Sequence, residues 1–391
     1  MNTATVTETA SNNDSPARSS KRDNFLIIAG EASADRLAAD VIRELKRWGP
    51  EWKFWGAGGP ELRREGCETL YDIHQLALTG FGEVLKHIRF FREVMATFRR
   101  EIRQRRPRAA LLVDYPGLNM RLGPFLKELG IPVFYYVSPQ VWAWRAKRVE
   151  KLAQFVRHMF VILPFEEEIY REVGVEVTFV GHPLLDRIRE PLPRPSGDPQ
   201  VAFLPGSRRN ELERHLPVLE DLASLLHQLR PEIKCRLALL PELPLKLYQP
   251  LLSHPNVMGF SSLPEALDGA TTAVVASGTA TLETALYGVP LVVIYKTHPL
   301  TYWLGKLLVQ VEHLALPNLI AGDRLVPELI QHEADAPNLL LWALNYIDDA
   351  ELYSSTRAEL LNLRRKLGSP GAGHRVAQGI VRDLNLPFPT S

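Results

Sequence analysis

Short apolar runs that end in small polar turns recur along this chain, and segments with helical spacing separate them. "NFLIIAG" (24–30), "WKFWGAGG" (52–59), "RAALLVDYPGLN" (108–119, with the strand ending at Asp114) and "IPVFYYVSPQVWAW" (131–144) are of this kind. "HMFVILPF" (158–165) and "VEVTFVGHP" (175–183) follow. A run that is apolar throughout has no wet face. Alternating with amphipathic helices, such runs predict a parallel sheet covered on both sides. The order breaks at "RIREPLPRPSGDP" (187–199), where Pro191, Pro193, Pro195 and Pro199 predict an extended, semi-rigid spacer. It restarts with "QVAFLPGSR" (200–208) and a helix over Asn210 to Arg230. "IKCRLALLP" (233–241), "NVMGF" (256–260), "TTAVVASG" (271–278) and "PLVVIY" (290–295) are further strands. An α/β chain of two halves is expected, with domains over 23–190 and 200–370 and a polar, disordered tail over 1–22. The length of 391 residues suits two cores rather than one.

Composition narrows the class. A net charge of +1 argues against a nucleic-acid partner. Cys67 and Cys235 stand far apart, with no metal-like spacing and no disulfide framework, which fits a reduced, cytosolic setting. The tail lacks the apolar core of a signal peptide. Gly278, Glu283 and Gly288 interrupt the longest apolar-rich region, Thr271 to Tyr295, so no span is expected and any lipid is met from the side.

Parallel sheets bind ligands at the carboxyl ends of their strands, so the turns there are the candidate sites. In "LPGSRRNE", Gly206 permits a sharp turn, the amides from Ser207 onward suit an anion, and Arg208 suits phosphate oxygens. A plain strand-to-helix turn with a solvated arginine reads equally well. In "ASGTATLE", Gly278 and Thr279 open a helix whose free amides suit a diphosphate, and Glu283, one turn in, suits sugar hydroxyls. A simple capped helix is the competing reading. Neither turn is a Walker A loop. Asn318 in "ALPNLIAG" reads as a helix cap or a phosphate donor. In the first half, Gly30 and Glu31 end a strand, Ser33 caps the next helix, and Asp114 is either a general base or a turn former. His182 reads as structural. Trp142 and Trp144 beside Arg145 are costly to expose without a use. Residues 81–108 form an amphipathic helix with a basic face, read as a surface helix or as a face for anionic lipid.

"AGEAS", "VDYPGLN", "YVSPQVWAWRAKRV", "FVGHPL", "LPGSR", "ASGTATLE" and "LPNLIAG" occur in this order from Asn24 onward, and the chain resembles the lipid-A-disaccharide synthase family from there to "GAGHRVA" at 371–377. The resemblance implies a GT-B glycosyltransferase: two Rossmann-like domains with a nucleotide-sugar cleft between them, and the C-terminal helix, about 375–391, joining the first. It implies transfer of diacylglucosamine from its UDP conjugate to diacylglucosamine 1-phosphate (lipid X), with inversion, giving the β-1,6 disaccharide phosphate and UDP. Asp114 would be the base and Glu31 a second carboxylate. Gly206, Ser207, Arg208, Gly278, Thr279, Glu283 and Asn318 would hold UDP. Ser33, Trp142, Trp144 and Arg145 would meet acceptor or lipid. No cofactor and no metal are implied, and the Asp348–Asp349 pair lies in a late helical region. The expected setting is cytoplasmic, peripheral to the inner membrane, with a homodimer left open. Ala34 and Gly117 depart from the family pattern. Another nucleotide-sugar transferase or an epimerase on the same scaffold is the alternative, and a non-catalytic lipid-binding protein a third.

Overall fold

The computed structural model describes residues 23–77, 84–139, 146–241, 243–297 and 312–386. The tail over 1–22 and Trp142, Trp144 and Arg145 lie outside these residues. The chain divides into two compact units, residues 1–136 with 154–158 and 377–391, and residues 137–153 with 159–376.

One sheet holds β1 (Asn24–Ala29), β2 (Lys53–Gly58), β3 (Glu68–Asp72), β4 (Ala109–Val113), β5 (Val133–Tyr136), β6 (His158–Val161) and β7 (Glu176–Phe179). The other holds β8 (Gln200–Leu204), β9 (Lys234–Ala238), β10 (Val257–Phe260), β11 (Thr272–Ala276), β12 (Leu291–Tyr295) and β13 (Glu328–Ile330). Their orders are β3-β2-β1-β4-β5-β6-β7 and β10-β9-β8-β11-β12-β13, with parallel pairing. In the first, the chain winds outward from β1 through β2 and β3, then returns to the other side of β1 as β4. β8 and β11 repeat the manoeuvre. Each sheet therefore has one switch point, where neighbouring strands lead into connections on opposite sides and leave a crevice at their carboxyl ends.

The second sheet shows why its strands read as continuous apolar runs. Ala202, Leu204, Ala273, Val275, Leu291 and Val293 pack into one core, while Val201, Phe203, Val274, Val292 and Ile294 pack into another. Successive side chains point to opposite faces, and both faces are covered.

Two strands have no such run. Both sit at sheet edges, as β7 and β10 also do; β3 is exposed or partly exposed along its whole length, and β13 is only three residues long. The proline segment also differs from a bare spacer. It is extended, but Leu192 donates its amide to Tyr287 O at 3.0 Å, Arg364 Nη2 donates to the carbonyls of Ile188 and Arg189 at 2.7 Å each, and the Arg194 guanidinium lies 4.8 Å from the Tyr353 ring. It is strapped along the second unit.

The amphipathic segment forms the helix Val84–Arg105, with Val94, Phe98 and Ile102 buried at four-residue intervals. Part of its basic face is engaged within the fold. Arg99 and Arg103 stack 5.3 and 5.0 Å from the Phe125 ring, and Arg105 forks onto Glu68 at 2.7 and 2.8 Å. Arg92, Arg100 and Arg106 are exposed.

Candidate active site

The switch point of the first sheet carries two carboxylates. Ala29 pairs with Val113, so Glu31 and Asp114 leave adjacent strand ends. Gly30 is required by packing: a Cβ there would lie 2.3 to 2.5 Å from atoms of the Tyr115 ring. The Tyr115 hydroxyl donates to Leu76 O at 3.2 Å, which fixes that ring. Asp114 is left-handed, φ +28°, and donates its amide to Tyr136 O at 3.2 Å. An aspartate tolerates that region better than most residues, which re-aims the side chain away from the strand direction. Burial, and then the nearby negative charge of Glu31, push the Asp114 carboxyl from its ordinary 3.8 up to about 6. The same two causes raise the Tyr115 phenol.

The helix after β1 runs Ala32–Trp48, and its cap is Glu31 rather than Ser33. Asp35 donates its amide to Glu31 O at 2.9 Å, so the first turn begins ahead of Ser33, which stays exposed within it. Asp35 itself is buried and accepts the amides of Gly59, Glu61 and Leu62 at 2.6, 2.9 and 3.2 Å. It clamps the turn after β2. Of the two departures, Ala34 is fully buried, whereas a Cβ at Gly117 would meet nothing within 4 Å.

The switch point of the second sheet is formed by two glycine turns. Leu204 pairs with Val275, so the Pro205–Arg208 turn and the Ser277–Thr279 turn leave side by side. At the first, Gly206 has φ +122°. Glu211 accepts the amides of Ser207 and Arg208 at 2.9 and 3.3 Å. The amides expected to face an anion face this carboxylate. The Arg208 side chain is 76% exposed, with Nη1 3.6 Å from Glu211.

At the second turn, Gly278 caps the helix Thr279–Leu286 with φ +141° and ψ −164°, a combination open to glycine. No side chain caps this helix and its first turn holds no acid. The hydroxyl of Thr281 turns back to Gly278 O at 2.7 Å. The amides of a first turn have no partner within their helix, and Gly278 and Thr279 are exposed. Glu283 is half-buried one turn further in, and its charge helps raise the Tyr287 phenol after burial.

Asn318 is fully buried. Its Nδ2 donates to Val326 O at 2.9 Å and Glu328 Oε1 at 2.8 Å, and its Oδ1 accepts the Val326 amide at 2.8 Å. Glu328 also takes the amides of Leu314 and Ala315 at 2.9 and 3.0 Å. The pair fixes Leu314 and Ala315 ahead of the helix Leu316–Ala321, in which Asn318 itself lies, and Ser277 donates onto the Leu314 carbonyl at 3.4 Å. His182 is buried, accepts the Leu184 amide at 3.2 Å, and is pushed down to about 4 by desolvation, as a structural imidazole is. Among the described residues no group of three or more His, Cys, Asp or Glu side chains gathers as a metal site, and no helix is long and apolar enough to cross a membrane.

The fold is shared with solved structures. A putative UDP-N-acetylglucosamine 2-epimerase from Listeria monocytogenes superposes with a TM-score of 0.64 at 13% identity, covering 93% of this chain and 97% of that one. A calicheamicin glycosyltransferase gives 0.62 at 15%, covering 93% and 98%. Two Rossmann-like domains of this kind define the GT-B class of glycosyltransferases and epimerases. Sequence relatives are more specific. The chain is 41% identical over 371 residues to the lipid-A-disaccharide synthase of Geobacter metallireducens, covering 92% of this chain and 96% of that protein. It is 42% identical over 370 residues to that of Nitrosococcus oceani, covering 92% and 95%. Residues 25–370 match the lipid-A-disaccharide synthetase family. The chain belongs to that family and is a glycosyltransferase.

Proposed function

We propose that the chain transfers diacylglucosamine from UDP-diacylglucosamine to the 6-hydroxyl of diacylglucosamine 1-phosphate, with inversion and without a metal, forming the β-1,6 disaccharide phosphate and UDP. One contrast carries this reading. Glutamates close the helix starts after β8 and β10, with Glu211 on Ser207 and Arg208 and Glu265 on the amide and hydroxyl of Ser261. The helix start after β11 has neither a capping side chain nor an acid in its first turn. The leaving diphosphate lies there, on the amides of Gly278 and Thr279, with Arg208 from the neighbouring turn. Fixed dipoles and one guanidinium stabilise the charge that builds as the bond to UDP breaks. Glu283 accepts ribose hydroxyls. Asn318 acts through Glu328, by fixing the loop that Ser277 touches.

Asp114 takes the proton from the attacking hydroxyl. A base with a pKa of about 6 is ionised near neutrality yet retains more proton affinity than an ordinary aspartate. Burial sets most of that elevation and Glu31 adds to it. The acyl chains of both substrates bring the enzyme to the cytoplasmic face of the inner membrane, which meets the exposed Arg92, Arg100 and Arg106. Purified protein incubated with both substrates and EDTA yields UDP and one disaccharide per UDP, read by mass spectrometry. An epimerised sugar nucleotide with no disaccharide would sink the proposal. Loss of turnover in EDTA would sink its metal-free part.

A further inference from the structure

The helix Arg209–Leu229 directs two polar side chains, Glu211 and His215, at the carboxyl edge of its sheet. Four residues apart, they share one face. Glu211 Oε2 accepts the amides of Ser207 and Arg208, and a Cβ at residue 206 would lie 2.5 Å from that same oxygen. Gly206 and the carboxylate therefore fit as one piece. His215 is buried, with Nδ1 2.7 Å from Pro205 O and Nε2 3.2 Å from the Lys296 amide. A carbonyl only accepts and an amide only donates, so Nδ1 carries the proton and Nε2 the lone pair. Only the neutral imidazole makes both bonds. Pro205 follows β8 and Lys296 follows β12, so this ring ties together two strand-end loops that flank the loop after β11.

We propose that Glu211 and His215 are positioning residues for the transfer. The carboxylate is a permanent internal anion that fills the phosphate place of the Pro205–Arg208 turn, and the imidazole ties that turn to the loop after β12. This rests on the reading of Arg208 as a diphosphate ligand. It adds that the turn meets the nucleotide through the Arg208 guanidinium alone. A phosphate brought to the amides of Ser207 and Arg208 would meet Glu211 as a like charge, which leaves the Gly278 turn as the backbone cradle. The exposed Arg208–Glu211 ion pair contributes little by itself. Glu211 acts through the backbone it fixes.

Amide hydrogen exchange at Ser207 and Arg208, with UDP titration calorimetry, tests this on the full chain. Both amides are protected in the wild type, with or without UDP. In Glu211→Ala the protection is lost and UDP binds roughly tenfold more weakly, the scale of one charge-assisted hydrogen bond. Glu211→Gln keeps an acceptor oxygen and recovers most of both. For His215→Gln the donor KM rises while kcat holds. Tighter UDP binding by Glu211→Ala would mean that the carboxylate is a placeholder displaced by phosphate, and would overturn the proposal. So would protection that survives the substitution, or a His215→Gln enzyme with a lowered melting temperature and an unchanged KM. If the wild type bound no UDP, the reading of Arg208 would fail, while exchange without nucleotide would still decide whether Glu211 holds the turn.

Discussion

The two switch points share a topology and differ in sign. After β1 and β4 the strand ends present Glu31 and a half-buried Asp114, two acids close enough for one to raise the other. After β8 and β11 they present an exposed arginine and a helix start that no side chain caps. Parallel sheets create a crevice at such points and leave its chemistry to the turn residues. A crevice that buries a carboxyl beside a second acid destabilises the charge of the buried one, and so produces a base. One that offers dipoles and a guanidinium stabilises charge arriving from outside. On the proposed account, the first crevice moves the proton and the second holds the leaving group.

Four experiments test that contrast, from the largest expected effect down. Asp114→Asn keeps the shape and removes the base, and turnover should fall by about a hundred- to ten-thousandfold. A smaller loss would move the base elsewhere, with Glu31 next in line. Arg208→Ala should raise the donor KM roughly tenfold to a hundredfold, and Arg208→Lys should recover only part, since an ammonium lacks the planar fork. Full recovery by lysine would reduce Arg208 to a point charge. Gly278→Ala meets open space but a backbone region that side chains avoid. It should cost about 1–3 kcal/mol in urea unfolding, whereas Gly117→Ala, also facing open space and without a positive φ, should cost far less.

The pH dependence is the smallest effect and the most specific. Turnover should rise with pH through about 6 as Asp114 ionises, and Glu31→Gln should shift that limb to lower pH by removing a like charge. The stability sign follows from the same elevation. The folded carboxyl titrates near 6 against 3.8 ordinarily, so its contribution is whole below about 4 and lost as pH rises through about 6. Asp114→Asn should therefore gain on the order of 2 kcal/mol in stability at pH 8 relative to pH 4.

The central strands were legible because both faces of each sheet are covered, leaving unbroken apolar runs. β3, with no buried residue along its length, and β13, only three residues long, lack the run. Gly278 was legible from a glycine between a buried strand and a helix. The closure of the neighbouring turn was not, because the residue that caps the helix there is Arg208, outside the Ser/Thr-x-x-Glu pattern that would have marked Glu211. Asp35, His215 and Glu328 were missed for a different reason. Their partners lie 24 to 27, 10 and 81, and 10 to 14 residues away, distances that only the fold closes. In sequence Asn318 reads as a cap or a phosphate donor, and the fold buries it against Glu328.

The division of labour is tested most directly by titrating UDP calorimetrically into Asp114→Asn and Arg208→Ala side by side. The account predicts wild-type affinity for the first and a large loss for the second. Weakened binding in Asp114→Asn with affinity preserved in Arg208→Ala would contradict it, because the acid crevice would then be holding the nucleotide.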